Sequence, residues 1–127
     1  MRLPSCGPTR TQIERWQRYT PAQRLASQHY WRAKQWNGGK PNGYWTAQQW
    51  EWLCARTEGR CAYCGKPTGQ LSPDHIQPLA HGGSNGFTNI APVCLMCQRK
   101  KGAKPAWQWF TPDEYDELMR WLHPEVA

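Results

Sequence analysis

Four of the six cysteines occur as two closely spaced pairs, Cys61-x-x-Cys64 and Cys94-x-x-Cys97. Two such turns can surround a Zn²⁺ ion with four thiolates at about 2.3 Å, which leaves no open position on the ion for a substrate. The competing interpretation, a redox dithiol, is expected beside a βαβ pattern that this sequence lacks. The spacing therefore predicts a structural zinc site, which would stabilise a segment too short to build its own core.

Between the two cysteine pairs, an acidic residue directly precedes a histidine, at Asp74 and His75. This pairing places a hard oxygen ligand beside a base that titrates near neutral pH. Adjacent residues in a regular strand point to opposite faces, so both side chains can serve one site only at a strand end or a bulge. Pro73 also fits an edge or interrupted strand. Alone the pair is weak evidence, because a histidine near a proline-rich turn is more often a hydrogen-bonded structural residue.

The residues that follow this pair predict a second strand and a helix. Gly82, Gly83 and the Asn85-Gly86 dipeptide mark a wide turn, after which residues 90–93 form a returning strand. Residues 94–101 then form a helix whose far end is basic. The predicted order is strand, loop, strand and helix, with zinc joining the entrance of the hairpin to the helix.

With these elements in place, the sequence resembles the HNH endonucleases, in the zinc-containing branch that has a ββα-metal nuclease fold. The resemblance covers roughly residues 59–103. It rests on several spaced motifs, which are Cys61-x-x-Cys64, Asp74-His75-Ile76-x-Pro78-Leu79, Gly82-Gly83-Ser84-Asn85, Asn89-Ile90 and Cys94-x-x-Cys97 with Lys101 four residues later.

The resemblance implies a role for each matching residue. His75 corresponds to the general base of the family, Asp74 to a ligand of the catalytic metal ion, and Asn89 to the residue that braces the loop holding the histidine. The third signature position, usually a metal-binding His or Asn, is Gln98 in this chain. A glutamine offers a carbonyl oxygen to Mg²⁺ or Mn²⁺, but one methylene farther out than asparagine does. The resemblance thus implies a metal-dependent DNA endonuclease or nickase, and small nucleases of this kind are often encoded by phages or mobile elements.

Two alternatives to this function stay open at the level of sequence. The first is a zinc-stabilised nucleic-acid-binding module that kept the fold and lost catalysis at Gln98. The second is an RNA-directed relative, because the chemistry itself does not select the sugar.

The fold class predicted for the whole chain is α+β. A helical N-terminal extension (1–58) precedes the ββα-metal and zinc module (59–103), and a C-terminal helix (104–127) packs on that module. Helix-capping signals begin at Thr11, Thr20, Thr46 and Thr111. The flanking helices are expected to pack on the module because about 45 residues bury too little surface to be stable alone.

The charge of the chain favours a polyanionic partner. Its net charge is +7 and its pI is about 9.3, which favours nucleic acid over an anionic membrane surface, with double-stranded DNA as the expected substrate. A solvated basic surface with no partner is the alternative on charge alone. The alternative for each basic candidate is a solvated helix end or an exposed loop. Oligomeric state is left open between monomer and homodimer. The candidate nucleic-acid contacts are Arg99, Lys100, Lys101 and His81.

Hydropathy argues against a membrane protein. Hydrophobic residues make up 39% of the chain, the mean hydropathy is −0.88, and no apolar run approaches the ~20 residues of a membrane-spanning helix. The residues before Cys6 lack the apolar segment of an export signal. The expected location is the cytoplasm.

Overall fold

A computed structural model describes residues 10–11, 14, 18–36 and 42–125. The short helix expected from Thr11 to Tyr19 and the helix stop expected at 37–39 lie largely outside these ranges. The described elements are α1 (Pro21–Trp36), α2 (Ala47–Arg56), β1 (Ser72–His75), β2 (Ile90–Val93), α3 (Leu95–Lys101), α4 (Ala106–Trp109) and α5 (Pro112–Leu122). Two 3₁₀ turns, Leu79–His81 and Phe87–Asn89, lie in the loop between the strands.

The α+β class and the order of strand, strand and helix are confirmed. The strands β1 and β2 form a two-stranded antiparallel sheet, and α3 follows β2 directly. The helix α4 was not predicted, because its four residues are too few to show a helical period.

The register of the sheet explains how two prolines are tolerated in it. Pro73 faces Pro92, and neither residue has an N–H to donate. Paired residues in an antiparallel sheet alternate between hydrogen-bonded and non-hydrogen-bonded positions, so this pair fits the non-hydrogen-bonded type. The carbonyls of both prolines point away from the facing strand as a result. They accept hydrogen bonds from other elements, the Pro92 oxygen from the Ala62 amide at 2.8 Å and the Pro73 oxygen from Gln98.

Three helices begin with the capping geometry that the sequence predicts. The hydroxyls of Thr20, Thr46 and Thr111 each accept a hydrogen bond from the backbone amide three residues later. The side chain at that third position returns a bond to the threonine amide in all three. Each such cap stabilises its helix by about 1 kcal/mol.

One buried cluster contains residues of the flanking helices and of the strand β2. Trp50 and Leu53 of α2, Ile90 and Val93 of β2, and Leu118 of α5 belong to one buried cluster. None of the described helices is long and apolar enough to cross a membrane.

Candidate active site and metal centre

The four paired cysteines come together in space. Their sulfur atoms all lie within 4.8 Å of one another, and the Sγ atoms of Cys64 and Cys94 are 3.9 Å apart. Four thiolates at about 2.3 Å around a tetrahedral Zn²⁺ would be separated by about 3.8 Å. The quartet is therefore a metal-binding arrangement, and its sulfur donors fit zinc. In the described part of the chain, it is the only cluster of three or more His, Cys, Asp or Glu side chains that could hold an ion.

Local backbone geometry favours metal binding by each cysteine pair. After the first pair, Gly65 adopts φ 76° and its amide donates to the Cys61 carbonyl at 2.8 Å, which closes the turn. In the second pair, Cys94 is the N-cap of α3 and its sulfur accepts from the Cys97 amide at 3.4 Å. This hydrogen bond is the main cause that lowers the pKa of Cys94 to about 7, which favours the thiolate form that binds metal.

Asp74 and His75 are the last two residues of β1, the strand end that their shared chemistry requires. His75 is half-buried, and its Nε2 lies 2.8 Å from Oδ1 of the fully buried Asn85. Because an amide oxygen only accepts, Nε2 carries the proton and Nδ1 keeps its lone pair. Burial lowers the pKa of His75 below its ordinary value, so the ring is neutral at pH 7. A neutral, oriented imidazole of this kind is able to accept a proton.

Asn89 ties the two ends of the inter-strand loop together. Its Oδ1 accepts from the Gln77 amide at 2.9 Å, and its Nδ2 donates to the carbonyl oxygens of Gln77 at 2.9 Å and Ser84 at 2.7 Å. The Asn89 carbonyl also accepts from the Ile76 amide at 2.9 Å. These contacts fix the chain immediately after His75, and they match the bracing position that the resemblance implies for Asn89.

Asp74 is almost buried and is held by two donors. Its Oδ2 accepts from the Tyr63 hydroxyl at 2.7 Å and lies 3.1 Å from Nζ of Lys101. Burial, followed by the nearby charge of Asp74, raises the pKa of Tyr63 well above its usual value, so the hydroxyl stays protonated and donates. The carboxylate is thereby fixed in direction beside His75.

Lys101 is buried, although the sequence predicts that it contacts nucleic acid at the basic end of α3. Its side chain is 0% exposed. Its ammonium group bonds the Asp74 carboxylate and the His75 carbonyl, the latter at 2.9 Å. Lys101 turns inward because two acceptors lie there. The His75 carbonyl points away from the facing strand, as that of Pro73 does, and the buried Asp74 carboxylate needs a counter-charge. Arg99, Lys100 and His81, the other basic candidates, are exposed.

Gln98 lies against the same strand. Its Nε2 donates to the Pro73 carbonyl at 3.4 Å, next to Asp74 in the chain, so the amide oxygen remains as a possible ligand. One carboxylate and one amide oxygen are hard donors of the kind that Mg²⁺ and Mn²⁺ prefer. Two protein ligands suit an ion that keeps several waters, as Mg²⁺ usually does. The donor chemistry of Asp74 and Gln98 therefore fits a hydrated divalent ion.

Sequence reasoning missed Tyr63 and Asn85 as members of the site. Tyr63 is a spacer residue inside the first cysteine pair, where nothing in the pattern distinguishes it from its neighbours. Asn85 belongs to the motif that carries the resemblance, but its bond to His75 depends on how the loop folds back. For Lys101 a signal existed, because it lies four residues after Cys97 and so on the same face of the helix as that buried sulfur.

Comparison with known proteins agrees with this architecture. A sequence profile described as HNH endonuclease matches residues 61–106. Over 75 residues the chain is also 35% identical to the CRISPR-associated endonuclease Cas9 of Corynebacterium diphtheriae. This alignment covers 56% of the chain and 7% of the Cas9 protein, so the chain corresponds to a small part of that relative. No solved structure matches the chain.

The segment that matches the family profile contains β1, β2, α3 and all four clustered cysteines. It also contains His75 with its Asn85 partner and the Asn89 brace. Both the sequence match and the arrangement of elements lead to one assignment. The module at residues 61–106 belongs to the HNH endonuclease family.

Proposed function

We propose that this protein is a metal-dependent HNH endonuclease or nickase that hydrolyses DNA phosphodiester bonds. The observation that carries the proposal is the placement of His75 at the end of β1, directly after Asp74, with its Nε2 2.8 Å from Oδ1 of Asn85 and its Nδ1 left as the acceptor. The family assignment of residues 61–106 supports the same chemistry.

In the proposed reaction, His75 takes a proton from the water that attacks the phosphorus atom. Asp74 and Gln98 would hold Mg²⁺ or Mn²⁺, and the ion would supply positive charge that stabilises the reacting phosphate and its leaving group. Asn85 and Asn89 keep the imidazole and its loop in place throughout. The products are a 5′-phosphate and a 3′-hydroxyl end.

The proposed substrate is double-stranded DNA, bound through its backbone. Arg99 and Lys100 are exposed at the end of α3, the helix that packs against β1, and the chain carries a net charge of +7. Such charges neutralise phosphates without reading sequence.

In the proposed organisation, residues 59–103 form the nuclease module, while 1–58 and 104–127 support it. We place the protein in the cytoplasm and propose zinc as the ion of the cysteine quartet.

The decisive experiment is conversion of supercoiled plasmid by the purified protein with Mg²⁺, with Mn²⁺ and with EDTA, in parallel with His75→Ala. We expect metal-dependent nicking or linearisation that falls at least 100-fold in the variant, since general-base catalysis contributes roughly 10²- to 10⁴-fold. Plasmid binding by His75→Ala should stay within about threefold of the natural protein. Full cleavage by His75→Ala would refute the assignment of the base.

A second candidate function is a binding module without catalysis. It is favoured by the Lys101 ammonium, which already balances the Asp74 charge, and by Gln98 at the third signature position. Plasmid retardation on a gel without cleavage in any metal would support this candidate. Cleavage of RNA but not of plasmid in the same assay would identify an RNA-directed nuclease instead.

A further inference from the structure

The N-terminal helix α1 reaches the candidate active site. The ring of His29 lies 6.1 Å, centroid to centroid, from the ring of His75 and 5.6 Å from that of Trp45. His29 and Trp45 both precede the segment that matches the HNH family profile. The surroundings of His75 are therefore built partly by residues outside the matched module.

Residues that follow α1 also contact the loop that contains Asn85. The Asn85 amide donates to the Asn42 carbonyl at 3.0 Å, and the Asn42 side chain donates to the Gly83 carbonyl at 3.3 Å. Gly43, at φ 110°, lies so close to this loop that a Cβ atom on it would be 2.7 Å from the Gly86 nitrogen. Asn42 and Gly43 therefore contact the loop whose Asn85 bonds His75.

Three side chains at or next to the pair of His29 and His75 have buried polar atoms without a hydrogen-bond partner in the described part of the chain. These atoms are Nδ1 of His29, Nε1 of Trp45 and Nδ2 of Asn85. Trp45 is 4% exposed and Asn85 is 0% exposed, so open solvent does not solvate these groups. An unpaired buried polar group destabilises the folded state, and ordered water is the usual partner in such places.

The distance between the two imidazoles suits such a water. With ring centroids 6.1 Å apart, the nearest ring nitrogens are separated by more than a direct hydrogen bond allows. One water that bonds both rings spans roughly 4–5.5 Å between the two nitrogens. On His75 this water would bond Nδ1, because Nε2 already donates to Asn85. Burial, then the neighbouring His75 and Arg32, lower the pKa of His29 to about 4, so at pH 7 it is a neutral ring with one donor and one acceptor.

We propose that His29 is a positioning residue for His75, coupled to its ring through an ordered water. The proposal rests on the proposed function, and it makes the N-terminal extension part of the active site. If His29 served packing alone, an apolar ring would serve better, because it would bury no unpaired nitrogen.

His29→Phe tests this directly, because it keeps a ring and removes both nitrogens. We expect kcat for plasmid cleavage to fall at least tenfold with KM unchanged, while the thermal midpoint stays equal or rises. Leu25→Ala is the matched control on the same helix, since Leu25 packs on the core. That variant should lower the thermal midpoint and leave kcat unchanged. A His29→Phe enzyme with the natural kcat would overturn the proposal.

A crystal structure of the zinc-loaded full chain separates this proposal from the nuclease assignment. Ordered water within about 3.2 Å of nitrogens of both His29 and His75 is expected whether or not the protein cleaves DNA. Rings in direct contact, or a dry space between them, would refute the coupling. If the water is present and the natural protein cuts nothing, the proposed function fails and the structural coupling stands.

Discussion

Lys101 and Asp74 form an ion pair inside the protein, with Nζ 3.1 Å from Oδ2. The lysine side chain is 0% exposed and the aspartate side chain is 9% exposed. The same ammonium group also bonds the His75 carbonyl. A single buried cation therefore fixes the carboxylate and the backbone of the two residues proposed to carry the chemistry.

Removing this cation is expected to affect stability first. Lys101→Met leaves the Asp74 carboxylate buried without a counter-charge, with only the Tyr63 hydroxyl as a donor, so the free energy of unfolding should fall by about 3–5 kcal/mol. Urea denaturation of the zinc-loaded protein measures the change. Lys100→Met, on the exposed side of the same helix, is the matched control and should stay within about 0.5 kcal/mol.

DNA binding should depend on Lys100 more than on Lys101. Lys100→Met is expected to weaken binding and to reduce the salt dependence of the binding constant by about one phosphate contact. Lys101→Met, where it remains folded, should keep the natural salt dependence. A loss of salt dependence in Lys101→Met alone would show that this lysine reaches a phosphate after all.

The role of Gln98 can be read from metal titration. If its amide oxygen is a ligand, Gln98→Ala should raise the Mg²⁺ concentration needed for half-maximal cleavage by about tenfold. Gln108→Ala makes the same change at an exposed glutamine of α4 and should leave the titration unchanged. Identical Mg²⁺ curves for Gln98→Ala and the natural protein would remove Gln98 from the metal site.

The cysteine quartet should bind one zinc ion per chain and stabilise the fold. Cys97→Ser is expected to lose the metal, and a strong chelator should unfold the natural protein, because structural zinc contributes roughly 10 kcal/mol or more in small domains. Elemental analysis after dialysis and circular dichroism provide the two measurements. Cys54→Ser, a thiol outside the quartet, should retain zinc in full. A folded, metal-free natural protein would contradict this prediction.

His29 predicts a pH dependence of stability. Its pKa is about 4 in the folded protein, against an ordinary value of 6.5, so the unfolded chain binds more protons between these values. The contribution of His29 to the free energy of unfolding is fully present above pH 6.5 and is lost as the pH falls towards 4. At pH 5 the loss amounts to about 2 kcal/mol.

His29→Phe lacks this titration, so its stability relative to the natural protein should increase as the pH falls from 7 to 5. Comparing the two proteins at each pH cancels the acid-induced loss of zinc that both share. A stability difference that stays constant between pH 7 and pH 5 would show that His29 keeps an ordinary pKa in the folded state.

The sequence alone was sufficient to predict the cysteine quartet and the local structure around Asp74 and His75. Two C-x-x-C pairs predicted the quartet, which the structure brings together. The Asp74-His75 pair after Pro73 predicted a strand end or a bulge, and the structure shows a strand end. These features are local, because short spacing and the steric limits of proline determine them.

The contacts that tune the site could not be predicted in the same way. The bonds of Asn85 to His75, Tyr63 to Asp74 and Lys101 to both strand-end residues join positions 10 to 27 apart in the chain. Which of three consecutive basic residues turns inward depends on where α3 meets the outward carbonyls of β1. That meeting is a property of tertiary packing, and no local pattern encodes it.

The backbone of the hairpin has one more consequence. A sheet of two strands has two outer edges, and each is normally a template on which a strand from another molecule can pair. Here the outward carbonyls of Pro73 and His75 are occupied by α3 side chains, that of Pro92 by the Ala62 amide, and that of Ile90 lies 3.0 Å from the His123 ring. The two prolines remove outward donors as well. Two side chains of the site, Gln98 and Lys101, therefore also protect the outer edge of β1 against edge-to-edge aggregation, and Ala62 and His123 protect that of β2.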